Sequence, residues 1–198
     1  MSFITKEKSV ALYAALVSFG TYVFIFGFRK SFTVCTFEGM TFGPIAFKTA
    51  MVISQMLGYL MAKFYGIKFI SGLEKKNRYK IIFLLTGIAW AAWLLFAIVP
   101  APYSILFLFI NGFPLGMLWG VVFSYVEGRR STDFIGAALA VSFIFSAGWV
   151  KSVGAWLMLN FNISETWVPF CTGLVFALPL VLCVWGLEKV TAPSMEDE

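Results

Sequence analysis

Five cations stand inside apolar stretches of this chain, Arg29, Lys30, Lys48, Lys63 and Lys151, and no acidic residue lies well inside any of those stretches. A cation at the centre of a membrane helix costs about 2.5–3.5 kcal/mol on insertion scales, so it either snorkels to a membrane face or turns toward a polar interior. Lys30, Lys48 and Lys63 are all within reach of a face. At 100° per residue, Lys48, Gln55, Tyr59 and Lys63 fall within about 80° of arc and form one polar stripe. Ser18, Tyr22, Phe26, Arg29 and Thr33 form a second. Ser142, Ser146 and Trp149 form a third, with Lys151 almost opposite it. Cationic stripes without acids describe a water-accessible cavity that favours anions. Counted from Ser9, Arg29 lies in the outer third of its segment.

Other chemistry is excluded by what the chain lacks. There is no histidine, which removes Ser-His-Asp and Cys-His catalysis and histidine metal ligation. Cys35, Cys171 and Cys183 are scattered and odd in number, which reads as buried structural thiols. No catalytic residue, metal or cofactor is expected. The net charge of +5 is placed by membrane topology and gives no reason to expect nucleic acid as a partner.

The elements that must carry these residues are membrane helices. Of 198 residues 60% are hydrophobic and 13% charged, against about 25% charged in average domains. A hydrocarbon core about 30 Å thick takes roughly 20 residues per helix. Apolar runs bounded by charges, Gly and Pro predict six helices, at 10–34, 44–68, 81–99, 104–126, 134–158 and 167–187. The first, running past 20 residues without a small-residue cleavage site, is expected to act as its own insertion signal. Residues 1–190 then form one six-helix bundle. The polar, acidic residues 191–198 read as the start of a cytoplasmic linker.

Ten basic residues, Lys6, Lys8, Lys68, Lys75, Lys76, Arg78, Lys80, Arg129, Arg130 and Lys189, fall at one set of loops and termini. The alternate loops, near Glu38–Thr41, Pro100–Pro102 and Asn160–Thr166, carry none. This bias places both termini in the cytoplasm. Gly58, Ala62 and Gly66 share a register with Gly112, Gly116 and Gly120, and small residues on one face let helices approach closely. Pro114 adds a candidate kink.

Several segments resemble the amino-terminal half of a major facilitator superfamily transporter. Gly58-Tyr59-Leu60-Met61-Ala62-Lys63-Phe64-Tyr65-Gly66-Ile67-Lys68 resembles a degenerate form of the superfamily's loop between helices 2 and 3. Glu127-Gly128-Arg129-Arg130 occupies the helix 4–5 loop, where that superfamily often has basic residues. Within it, the chain is similar to the organophosphate:phosphate antiporters. Phe28-Arg29-Lys30-Ser31-Phe32 resembles their helix 1 signature with a phosphate-binding arginine, Tyr22 falls at a site tyrosine, and Ala62-Lys63-Phe64 resembles the segment with a site lysine. Asn111-Gly112-Phe113-Pro114-Leu115-Gly116-Met117-Leu118-Trp119-Gly120 resembles their Gly-rich helix 4. Phe26 and Phe145 stand where that branch has a tyrosine and a histidine.

The resemblance implies an all-α membrane fold, a six-helix half built as a 3+3 inverted repeat, in the inner membrane of a bacterium. It implies transport of a small anionic solute, organic-phosphate-like, by alternating access against a second six-helix half in the same longer chain or another protomer. Arg29 and Lys63 would attract the solute; Tyr22, Gln55 and Tyr59 would line and orient it. The alternative is a non-transporting receptor or sensor with the same fold.

Overall fold

The computed structural model describes residues 2–129 and 131–190, with side chains from residue 9 onward except that of Lys75. Arg130 and the acidic segment expected to begin a linker lie outside the described residues.

Six long helices follow one another: α1 Ser2–Lys30, α2 Phe47–Ser71, α3 Arg78–Ile98, α4 Ile105–Phe123, α5 Thr132–Phe161 and α6 Val168–Glu188. All but α2 are long and apolar enough to cross a bilayer, which makes this an all-α, multi-pass membrane protein. Lys48, Gln55, Tyr59, Lys63 and Lys68 distinguish α2 from the other five. It nevertheless runs alongside most of α4. Contacts advance along both helices together, from Ser54 on Ile105 through Gln55 on Gly112 and Tyr59 on Gly116 to Ile70 on Gly120, so the two run parallel.

Glycine makes that approach close enough. A Cβ on Gly112 would stand 2.2 Å from the Gln55 carbonyl oxygen, one on Gly58 2.3 Å from that of Phe109, and one on Gly116 2.6 Å from the Ala62 methyl. The register of small residues expected on the two helices is therefore their contact seam. Helix α1 packs likewise beside α5, with Tyr22 on Phe143 and, just past the end of α1, Ser31 on Gly154, and also beside α6, where Phe176 fills the space over Gly27. Helix α3 packs against α4. The spans of α1 and α4 are the most enclosed, 50% and 61% buried against 28–39% for the other three apolar spans, and they form the centre.

Several boundaries differ from the sequence expectation for local reasons. Helix α2 starts at Phe47 because Gly43 and Pro44 turn a short hairpin, β1 Thr41–Phe42 paired antiparallel with β2 Ile45–Ala46. Gly43 takes φ +58 at the first turn position, which a side chain would resist. At its other end α2 runs on to Ser71, so the segment from Gly58 to Lys68 is wholly helical and Gly66 packs on Met117. The turn to α3 comes later, at Gly72–Glu74. Helix α1 tightens after Lys30 into a 3-10 turn, Ser31–Val34. Asn162, in the left-handed region at φ 51, ends α5.

The two ends of the bundle differ in charge. At one, Arg78 donates to the Ser124 carbonyl at 2.6 Å and lies over the Tyr125 ring, while the Tyr125 hydroxyl donates to Glu188; Lys68, Lys76, Lys80 and Lys189 are exposed there. At the other stand Glu38, Glu165 and the exposed rings of Tyr103 and Trp167.

Replacing Gly112 by alanine forces α2 off α4. A loss of about 1–3 kcal/mol of stability is expected, read as a lower thermal midpoint of the purified protein. Gly148→Ala, with nothing within 4 Å of the added carbon, leaves the midpoint unchanged.

Candidate functional site

The last turn of a helix has carbonyls with no amide partner further along. At the end of α1 these carbonyls lie in the interior of a membrane protein, where an unpaired backbone oxygen is costly. Side chains from three helices meet them. Trp93 Nε1 on α3 and Asn111 Nδ2 on α4 donate to the Phe28 oxygen at 2.5 and 3.1 Å, and Gln55 Nε2 on α2 donates to the Arg29 oxygen at 2.8 Å. Gln55 Nε2 also donates to Asn111 Oδ1 at 2.8 Å, and Asn111 Nδ2 to the Ala89 oxygen at 2.9 Å. Gln55 and Asn111 are 2% and 0% exposed. The amide expected to orient a ligand is thus committed to holding Arg29's own backbone.

That anchoring places the Arg29 guanidinium. Helical side chains tilt toward the helix N-terminus, so Arg29 reaches back along α1, away from the end where its Cα sits and toward the middle of the bundle. Its Cζ lies 3.9 Å from the centroid of the Tyr59 ring, and Tyr59 is the thirteenth of the 25 residues of α2. Lys63, one turn further along α2, tilts back the same way, with Nζ 4.9 Å from the Tyr59 centroid and 5.6 Å from that of Trp119. Two cations from different helices therefore converge on one ring halfway along α2, although Arg29's position in the sequence is near the C-terminal end of its helix.

Tyr22 completes the group. It is 2% exposed, edge-on to Phe143 of α5 with centroids 4.9 Å apart, and close enough to Arg29 and Tyr59 to feel both. The structure brings Arg29, Tyr59, Lys63 and Tyr22 together, with Gln55 behind them. Arg29 Nε is buried and makes no hydrogen bond among the described residues. Trp119, stacked on Phe123, joins the site on α4. Only its place in the Gly-rich α4 segment hinted at it.

Other candidates separate from this group. Lys48 Nζ donates to the carbonyls of Thr33 and Cys35 at 3.0 and 2.5 Å, capping the 3-10 turn where a cation suits the helix C-terminus. Lys30 is half-buried within electrostatic range of Arg29 and Lys151. Ser142 and Ser146 are buried, donating to the carbonyls of Leu139 and Ser142. Phe145 stacks on Trp149 and tilts against Phe19.

The loop beyond Arg29 is pinned by a residue the sequence gave no reason to choose. Glu165, between α5 and α6, accepts hydrogen bonds from the amides of Thr36 and Phe37, both at 2.7 Å, and from the Thr36 hydroxyl at 2.9 Å. Burial opposes its ionisation, but these donors and nearby Lys48 outweigh it and hold the carboxyl below the usual range. Cys35 donates to the Glu165 carbonyl. Burial first, and then the Glu165 carboxylate, push its thiol up to about 12, which fits an inert structural cysteine.

A carboxylate with a lowered folded pKa stabilises the fold above its ordinary pKa, and the contribution disappears as pH falls through the folded value. The thermal midpoint should therefore begin to fall below pH 4.5. Glu165→Gln should cost about 1 kcal/mol at neutral pH, allowing for solvent screening at this partly exposed clamp, and flatten the acid limb. An unchanged acid limb in the variant contradicts the assignment.

With this geometry in place, comparison with known proteins adds one result. Residues 31–198 match a family of unknown function, DUF5690, and the chain belongs to it. The match begins just after Arg29. No curated protein and no solved structure matches the chain.

Proposed function

We propose that this chain binds a small anionic solute on Arg29, Tyr59 and Lys63 and moves it across the membrane by alternating access, as one six-helix half of a major-facilitator-type transporter. The observation that carries the reading is the convergence of two cations on Tyr59 halfway along α2. Nothing in a lipid-facing helix requires this, because both side chains could reach a membrane face. Lying across an aromatic ring holds them in place until an anion arrives.

The packing supports the repeat. Exchanging α1 with α4, α2 with α5 and α3 with α6 carries the pair α1 and α5 onto α4 and α2, and the pair α1 and α6 onto α4 and α3. Both members of the first set are parallel pairs. Such internal repeats place substrate sites near mid-membrane, the depth of Tyr59. A second half, in the same longer protein or another protomer, would close the site from the side of α2 and α5. The basic end is read as cytoplasmic.

In the full-length protein, Arg29→Lys keeps the charge but loses the planar fork, and an oxyanion should bind about 1.5–3 kcal/mol more weakly by calorimetry. Lys63→Gln should weaken the same anion, while Lys76→Gln at the exposed basic end should change little. Equal, small effects of all three remove the cationic site. Binding with no flux in proteoliposomes identifies a sensor.

A further inference from the structure

Beside the two cations, most hydrogen-bonding groups are already used by the protein's own backbone. Gln55 and Asn111 serve the end of α1, Thr33 donates to the Lys30 carbonyl, and Ser142 and Ser146 donate within α5. The Ser18 and Ser31 hydroxyls are buried without a partner and sealed from any ligand, so among the described residues of this group the phenols of Tyr22 and Tyr59 remain.

What remains is aromatic. Tyr59 lies under both cations, and Trp119 stands 5.6 Å from the Lys63 ammonium and stacks on Phe123 at 4.9 Å. Across the group, Phe143 packs edge-on to Tyr22 at 4.9 Å and to Phe26 at 6.1 Å.

A polyol attached to an oxyanion needs a donor or acceptor for each hydroxyl it withdraws from water, and an unmatched hydroxyl is penalised. A hydroxyl offers one donor and two lone pairs, so two phenols and the Trp119 indole N–H leave even a diol partly unmatched and a sugar more so. A flat apolar body makes no such demand and gains contact with ring faces. We propose that the solute is an oxyanion on a flat apolar body, an aryl phosphate or carboxylate in type, and that sugar and polyol phosphates are poor ligands. The inference rests on the cationic site of the proposed function and narrows the organic-phosphate-like solute that the sequence resemblance implies.

Three probes with the same head group separate the two ideas: inorganic phosphate, phenyl phosphate and glycerol 3-phosphate, titrated by calorimetry into full-length protein in lipid nanodiscs, with empty nanodiscs subtracted. Phenyl phosphate should bind at least about tenfold more tightly than glycerol 3-phosphate. Trp119→Leu should reduce that ratio to about threefold or less. Glycerol 3-phosphate binding as tightly as phenyl phosphate overturns the inference, as does a ratio that Trp119→Leu leaves intact. If inorganic phosphate binds and Arg29→Lys weakens it while the ratio stays near one, the cationic site stands and the aromatic preference falls. If none of the three binds, both fall.

Discussion

The unfinished carbonyls at the end of α1 constrain everything around them. Water would satisfy the Phe28 and Arg29 oxygens at a soluble helix end, but inside a membrane bundle the protein must supply the donors itself. Trp93, Asn111 and Gln55 do so from three other helices, so the same contacts that complete α1 fix the relative positions of α1, α2, α3 and α4. Arg29 sits on the last bonded turn and inherits that rigidity. Its guanidinium is aimed by a buried network that has no exposed member.

The glycine seam follows from the same requirement. Gln55 can reach the Arg29 carbonyl and Asn111 only if α2 lies almost in backbone contact with α4, and Gly58, Gly112 and Gly116 allow that. Lipid gives no hydrophobic drive for this approach, so close packing and interhelical hydrogen bonds must hold it. The close approach also brings Tyr59 beneath Arg29 and Trp119 beside Lys63. At the loops beyond α1 and between α5 and α6, Lys48 and Glu165 complete the 3-10 turn and its exit with opposite charges on opposite backbone groups.

Much of this was legible in the residues, because membrane helices advertise length and polarity directly. The helices and the small-residue registers follow from hydropathy and 3.6-residue periodicity, which also put Tyr22 with Arg29 on one stripe and Tyr59 with Lys63 on another. Periodicity assigns a side chain to a face but not to a partner, so Gln55 looked equivalent to Tyr59 on the same stripe, although one bonds to backbone and the other lies under the cations. Lys48 was indistinguishable from a snorkelling lysine for the same reason. The depth of the Arg29 charge was obscured because counting places the Cα, whereas the long side chain runs back toward the middle of the helix. Glu165 carried no signal, since a loop carboxylate acquires its role only from the loop it meets 129 residues away.

The central claim is that Gln55 acts on an anion only through Arg29. A double-mutant cycle tests this directly, with phosphate affinity measured for the full-length protein, Gln55→Leu, Arg29→Lys and the pair. If the buried amide aims the guanidinium, Gln55→Leu weakens phosphate in the presence of Arg29 and has little further effect once Arg29 is lysine, a coupling of about 0.5–3 kcal/mol. Strictly additive losses would contradict the account, because they would make Gln55 and Arg29 independent contributors to binding.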